Sequence, residues 1–263
     1  MNSLRIITPV KDSILTTQDT LRAIAAGLPA EVACRVIVYN DNSTDENTVL
    51  LRQLCDELHF QLVNLSDLTD HPSPNYLFVL QREQQICLEE GSALLIVESD
   101  VTVRPDTISL LLSEADRHPG AGIVASVTVD EEGRVNYPYQ YAAKWSSHLP
   151  AEGDDSRPIQ AAQDSPTGGT GGAIDNKRHC SFCCSLLTPA LLRAFDFHQL
   201  DPTKNWFDVT ISHESLKAEL HNYLLMNAPV LHRPHQSRPW KLLKYKNPLL
   251  YYWRKLTRGF DKI

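Results

Sequence analysis

Residues 93–106 read ALLIVESDVTVRPD, and the fold turns on this stretch. Ala93 to Val97 is apolar without alternation, so it is predicted to be a strand buried on both faces, as in a parallel sheet covered by helices on each side. Glu98, Ser99 and Asp100 follow it directly. Pro105 and Asp106 then open a helix expected over Thr107 to His118. A buried strand, a polar turn and a helix make one βα unit. If the strand bends at its end, carboxylates at i and i+2 can both face a cleft. Read alone, an ExD is weak, and its acids serve equally to cap the next helix.

The same alternation extends outward. Leu4 to Thr8 is a strand that Pro9 is expected to end, and Thr16 to Leu28 has helical apolar spacing. Arg35 to Tyr39 is a β-branched strand that runs into NDNSTDEN. Asp45 or Ser43 can cap the following helix, whose expected apolar face is Val49, Leu50, Leu54 and Leu58. Phe60 to Leu65 is a third strand. A loop through Pro72 and Pro74 leads to a helix ending near Gly91. Downstream, Gly122 to Val129 is a fifth strand. Strands alternating with helices over about 130 residues imply a doubly wound, parallel sheet. Ligands bind such sheets beyond the carboxyl ends of the strands, where TPVKD, NDNSTD and ESD should converge.

Composition sets the outer limits. The chain has 263 residues, 42% hydrophobic and 22% charged, values ordinary for a globular protein and unlike disorder or coiled coil. No apolar run approaches the roughly 20 residues of a membrane span. The N-terminus lacks the pattern of a signal peptide, so the cytoplasm is the expected compartment. Residues 238–263 carry eight Lys or Arg and one acid, leaving 17 bases and 31 acids in the rest. An acidic body argues against nucleic acid as a partner. The basic tail, residues 238–263, interleaves its charges with Trp240, Tyr245, Tyr251, Tyr252, Trp253 and Phe260. Two readings stand for it: a helix at an anionic membrane surface, or a helix packed on the body.

The second half is less regular. Residues 150–178 are rich in Gly, Pro and polar residues around GGTGG and read as a mobile loop. GGTGG lacks the GK[ST] of a phosphate loop, and the first βα turn lacks a dinucleotide fingerprint. His179, Cys180, Cys183 and Cys184 crowd together, but no second ligand pair follows at finger spacing. CSFCCSLLT reads better as a buried strand, and Cys34, Cys55 and Cys87 as small buried hydrophobes.

In order and spacing, RIITPVKDS, VIVYNDNSTDENT, ALLIVESDVTVRPD and FDVTISHESL resemble the successive motifs of family 2 glycosyltransferases. The resemblance spans roughly residues 4–240. It implies an α/β GT-A fold, with a Rossmann-like, mostly parallel central sheet and helices on both faces. Residues 1–237 would form the transferase domain: 1–130 the nucleotide-sugar half, and 131–237 the acceptor half with the loop. By that resemblance Thr8, Pro9, Lys11, Asp41, Arg82 and Ser99 bind nucleotide. Where the family usually has Arg-Asn, this chain has Arg82-Glu83. Glu98 and Asp100 stand as the metal-binding motif, for Mg²⁺ or Mn²⁺, and His232 or His235 joins them, with His232 in the better-matching position.

Asp208 matches the family's catalytic base, which usually lies in a Glu-Asp pair; here Phe207 precedes it. Its helix is expected to run to about Leu225. A carboxylate there can take the proton of an acceptor hydroxyl, or merely cap the helix. The expected activity is hexosyl transfer from a nucleotide-sugar donor to a glycan or lipid-linked acceptor, with inversion, in cell-surface polysaccharide or glycan synthesis. The location would be cytoplasmic, either free or peripheral at the inner face of the cell membrane. The rivals are an inactive sugar-nucleotide-binding relative, which retention of Asp41, Asp100 and Asp208 argues against, and a nucleotidyltransferase, which would want a Gly-rich loop after the first strand.

Overall fold

The computed structural model describes residues 3–136, 138–139, 142, 172–204, 206–233 and 247–258. Among these residues nine strands form one sheet in the order β3-β2-β1-β4-β8-β6-β9-β5, with β7 paired to β9. They are β1 (Ser3–Val10), β2 (Ala33–Asn40), β3 (Gln61–Asn64), β4 (Ala93–Val97), β5 (Val101–Thr102), β6 (Ala121–Val129), β7 (Ala173–Asp175), β8 (Cys184–Leu187) and β9 (His221–His232). Strands β1 to β4, β6 and β9 run one way, and β5, β7 and β8 run against them. The mostly parallel sheet is therefore as expected, with one rearrangement. β8 is inserted antiparallel between β4 and β6, so the fifth expected strand does not lie beside the fourth.

Helices cover both faces. On one side α1 (Ile14–Ala26), α2 (Asp45–Leu58) and α4 (Thr107–Arg117) pack over Ile6, Val38, Leu95 and Val124. On the other, α3 (Tyr76–Glu90), α5 (Pro189–Ala194) and α6 (Phe207–Lys217) pack over Ile7, Ile37, Ile96 and Ile123. Consecutive residues of each strand divide between the two clusters, as the twofold alternation of a strand requires. β4, flanked by β1 and β8, is buried at every residue.

Several local expectations need correction. β1 continues through Pro9 to Val10. The Val10 carbonyl accepts from the Asp41 amide on the β2 side, so Pro9 faces the β4 side, where pairing has already ended at Ile7. Its missing N–H therefore costs no ladder bond. The cap of α2 is Thr44, whose hydroxyl accepts from the Asn47 amide, rather than Ser43 or Asp45. The buried face of α2 is Leu51, Leu54 and Cys55 with Leu58 against it, an i, i+3, i+4, i+7 set, while Val49 and Leu50 are exposed. The helix α6 ends at Lys217 and not near Leu225: Glu219 takes a left-handed φ of 60°, and β9 begins at His221. Within the expected loop 150–178, residues 173–175 are strand β7; 150–171 lie outside the described residues. Cys34 is half-buried, while Cys55 and Cys87 are buried as expected, and all six cysteines are free.

The Glu83 that replaces the family's usual Asn has a structural partner. Its carboxylate takes two bonds from the buried Arg5 guanidinium, at 2.7 and 3.0 Å, and a third from the Tyr39 hydroxyl. This network ties α3 to β1 and β2. At the C-terminal end, α7 (Pro248–Arg258) forms within the basic tail, where a helix is expected. Tyr251 is buried, whereas Leu249, Tyr252 and Trp253 are 86%, 52% and 66% exposed. Among the described residues no helix is long and apolar enough to cross a membrane.

Candidate active site

The carboxyl ends of β1, β2 and β4 meet at one edge of the sheet. After β1, Asp12 adopts a left-handed φ of 56°, as does Asn42 after β2. Asp and Asn tolerate this region better than other residues with a Cβ. The turn lets Asp12 Oδ1 accept from the Thr44 amide at 2.7 Å and the Asn47 side chain at 3.2 Å, closing the start of α2. Lys11 Nζ donates to the carbonyls of Asp41 and Asn42 at 3.3 and 3.0 Å, so the first two loops are clasped together.

Asp41 is buried, and its carboxylate accepts from the Ser73 hydroxyl (2.8 Å), the Asn75 amide (2.9 Å) and the Asn75 side chain (2.8 Å). It thus holds the loop that launches α3. Thr8 is fully buried in β1. Its Oγ1 has no hydrogen-bond partner among the described residues. Arg82 lies two turns into α3, exposed, where it acts on the Tyr39 hydroxyl at the end of β2.

The acids after β4 meet groups from far along the chain. The Glu98 amide donates to the Cys183 carbonyl at 2.9 Å, extending the β4–β8 ladder by one residue. Ser99 and Asp100 are buried. β5 pairs Val101 with His232, and the Arg233 amide donates to the Asp100 carbonyl at 2.9 Å, which seats the end of β9 beside Asp100. His232 Nε2 lies 3.6 Å from Asp100 Oδ2 and 3.9 Å from Cys183 Sγ. Cys183 Sγ lies 3.5 Å from Glu98 Oε2. One donor atom each from Glu98, Cys183 and His232 lies within 4.8 Å of the other two. A cluster of carboxylate, imidazole and thiol at this spacing fits a divalent cation. His235 lies outside the described residues.

Electrostatics mark the same point. Burial, then Asp100, push the Glu98 carboxyl well above the usual range; Asp208 adds to this and His232 opposes it. Burial alone would lower the His232 imidazole, but Asp100 and Glu98 outweigh it and raise it. Burial and the charges of Glu98 and Asp208 push the Tyr76 phenol far up. Perturbed groups gathered at the end of a strand are a signature of a functional site.

Asp208 reaches this cluster from α6. It sits in the first turn, and its Oδ1 accepts from the Val209 amide at 2.9 Å. The cap position is Trp206, which gives no side-chain cap bond. The pose of α6 is set by polar contacts to its neighbours. Ser212 Oγ accepts from the Cys180 amide (2.9 Å), Asn222 Nδ2 donates to the Ser212 carbonyl (2.9 Å), and Ser215 Oγ donates to Asn222 Oδ1 (2.8 Å). β6 comes close enough that a Cβ on Gly122 would lie 2.0 Å from Ser215 Oγ.

Residues 5–171 match the family model described as glycosyl transferase family 2, well over half of the chain. The chain belongs to glycosyl transferase family 2. Its fold is that of solved GT-A glycosyltransferases. The 1–349 portion of S. aureus TarS superposes with a TM-score of 0.56 at 14% identity, covering 93% of this chain and 64% of that one. A mannosyltransferase from Pyrobaculum calidifontis, solved with GDP-Man and Mn²⁺, gives 0.58 at 13%, covering 96% and 64%. Glucosyl-3-phosphoglycerate synthase from Mycobacterium tuberculosis gives 0.52 at 13%, covering 96% and 80%. This chain thus spans somewhat under two thirds of the TarS and mannosyltransferase chains. No curated protein sequence matches it.

Two residues of this family 2 site escape the sequence reading. Cys183 belongs to the His179–Cys184 string, where the pattern of a buried strand competes with that of a ligand. In the structure β8 takes Cys184 onward into the buried sheet, while Cys183, one residue earlier, lies beside Glu98 and His232. Tyr76, at the start of α3, approaches Glu98 and Asp208 from a separate element, with its ring 6.3 Å from that of Phe207. No local motif announces it.

Proposed function

We propose that this family 2 domain transfers a hexose-type sugar from a nucleoside-diphosphate sugar to an acceptor hydroxyl in one displacement, with inversion at the anomeric carbon. The observation that carries the reading is the approach of Asp208 to the Glu98–Asp100–His232 cluster from the opposite element. Asp208, on α6, is close enough for its charge to act on Glu98, so a proton acceptor and an anion-stabilising group belong to one site. Donor complexes among similar structures, UDP-GlcNAc in TarS and GDP-Man in the mannosyltransferase, support a nucleotide-sugar donor.

In this reading the loops after β1 and β2, with Thr8, Pro9, Lys11 and Asp41, receive the base and ribose. Arg82, which acts on Tyr39 near the end of β2, stands with that set. Asp208 accepts the proton of the acceptor hydroxyl as its oxygen attacks the anomeric carbon, and the bond to the diphosphate breaks in the same step. Ser99 and Asp100 line the diphosphate end. Glu98, Asp100 and His232 would hold Mg²⁺ or Mn²⁺, which supplies Lewis-acid charge for the leaving diphosphate.

The acceptor is read as a glycan or lipid-linked saccharide of cell-surface polysaccharide synthesis, met at the cytoplasmic face of a membrane. The exposed Leu249, Tyr252 and Trp253 of α7, in a segment with eight bases, support such docking. Each base near an anionic surface contributes about 1 kcal/mol, which salt weakens.

A thermal-shift screen of nucleoside diphosphates and their sugars, with Mn²⁺ and EDTA arms, tests the donor reading. Stabilisation by one nucleoside diphosphate that EDTA abolishes supports it; no response to any of them defeats it. NMR of the product anomer tests inversion. Sedimentation of the chain with anionic liposomes at low salt tests docking, and a chain that stays in the supernatant defeats it.

A further inference from the structure

We propose that Cys183 is a metal donor, and that Glu98, Cys183 and His232 form a thiolate-containing centre that takes a Zn²⁺-class cation in preference to Mg²⁺. The inference depends on the reading of this end of the site as cation-holding, and revises its ligand set: Cys183 takes the place given above to Asp100, and the preferred cation changes with it. It rests on the arrangement of donors. In a tetrahedral site with sulfur at about 2.3 Å and nitrogen or oxygen at about 2.0 Å, sulfur lies about 3.5 Å from each of the other donors. Here Cys183 Sγ stands 3.5 Å from Glu98 Oε2 and 3.9 Å from His232 Nε2 before any cation draws them in.

The three donors arrive from three separate strands' ends, each fixed by backbone. Glu98 is pinned by its amide bond to the Cys183 carbonyl, so the two side chains share one rung of the β4–β8 ladder. His232 is the last residue of β9 and is paired to β5. The Ser181 hydroxyl, 3.1 Å from Cys183 Sγ, orients the sulfur from behind. Asp100 reaches the group through His232, at 3.6 Å, and stands outside the mutually close triad.

Three protein ligands with a fourth position left open is the pattern of catalytic rather than structural zinc. Thiolate is a soft ligand that Mg²⁺ does not favour. On coordination the Cys183 thiol gives its proton to solvent, a metal–sulfur bond forms, and no electron is transferred. Such a cation would reside in the protein before any nucleotide arrives.

The test uses the full chain, stripped with EDTA and dialysed, without donor or acceptor, so it can fail while transfer stands and stand while transfer fails. Co²⁺ is added as the spectroscopic probe. A sulfur-to-cobalt charge-transfer band in the near ultraviolet, displaced by Zn²⁺, is expected. Cys183→Ser should remove the band and weaken Zn²⁺ at least about 10-fold, the lower end of losses from even outer-shell changes. Mg²⁺ affinity should move by less than about 3-fold. Cys34→Ser, far from the cleft, should behave as the parent. Zn²⁺ binds more tightly than Mn²⁺ at most mixed sites, so the change on mutation is the informative quantity. X-ray absorption of the Zn²⁺-loaded parent should count one sulfur neighbour at about 2.3 Å, a readout that stands even if the variant does not fold. No charge-transfer band, no sulfur neighbour, a band that persists in Cys183→Ser, or parallel losses of Zn²⁺ and Mg²⁺ would each overturn the proposal.

Discussion

Replacing Asp208 by Asn isolates the proposed base with little disturbance of its surroundings. The amide oxygen can still accept from the Val209 amide, now 2.9 Å from Oδ1, so the first turn of α6 is kept. The anchors of α6 at Ser212, Ser215 and Asn222 are untouched. Loss of a general base costs roughly 10²–10⁴ in rate, which is about 2.7–5.4 kcal/mol of barrier. The structure also fixes the sign of a second effect. The Asp208 charge is one of the causes that raise Glu98. Removing it lets Glu98 ionise more readily, so the cation end of the site should bind as well as before or somewhat better. Initial rates of nucleoside diphosphate release, and calorimetry of the nucleoside diphosphate with Mn²⁺, measure the two effects separately. Turnover falling by at least 100-fold with affinity unchanged or tighter is the expected result. Turnover within about 10-fold of the parent, or affinity weakened by more than that, would refute the role.

Glu83→Ala should destabilise the protein by about 3–5 kcal/mol, because it strands the buried Arg5 guanidinium with only the half-exposed Glu90 to pair with; chemical denaturation measures it, and a loss under about 1 kcal/mol would contradict the network's importance. Gly122→Ala places a Cβ 2.0 Å from Ser215 Oγ, so either Ser215 leaves its bond to Asn222 or α6 shifts. A cost of about 1–3 kcal/mol in stability is expected, with a drop in turnover as Asp208 moves; unchanged melting and turnover would show that Ser215 yields freely. The pH dependence follows from Glu98 and His232, both raised in the folded protein. Between about pH 4.3, where an unfolded Glu titrates, and about 7, the folded value of Glu98, the native state binds more protons than the unfolded one. Stability from this source is therefore present at acid pH and lost as pH rises. In EDTA, Glu98→Gln should flatten the melting curve against pH over that window, and an unaltered slope would place the proton elsewhere.

Much of the first half of the molecule could be read locally. Ala93 to Val97 is apolar at every position because β4 has covered neighbours on both edges and helices on both faces, and that environment selects composition directly. The polar clusters after β1, β2 and β4 converge because parallel strands end on one side. Where local pattern misleads in this half, the cause is also local. On α2 two apolar sets recur at helical spacing and only packing selects Leu51, Leu54, Cys55 and Leu58, and no local signal says which edge of β1 Pro9 faces.

What lay beyond sequence was set by pairing between distant segments. No local pattern says that β8 inserts antiparallel beside β4, yet that one ladder brings Cys183 to Glu98. His232 reaches Asp100 through the two-residue pairing of β5 with β9, far too short to leave a periodic trace. Tyr76 and Asp208 meet Glu98 from helices posed by side-chain contacts with other segments: Asp41 and Gln84 for α3, Asn222 and the missing side chain of Gly122 for α6. Hydrophobic periodicity encodes which face of an element is covered. The identity of the neighbour that covers it, and so the composition of the site, is decided by how the whole sheet closes.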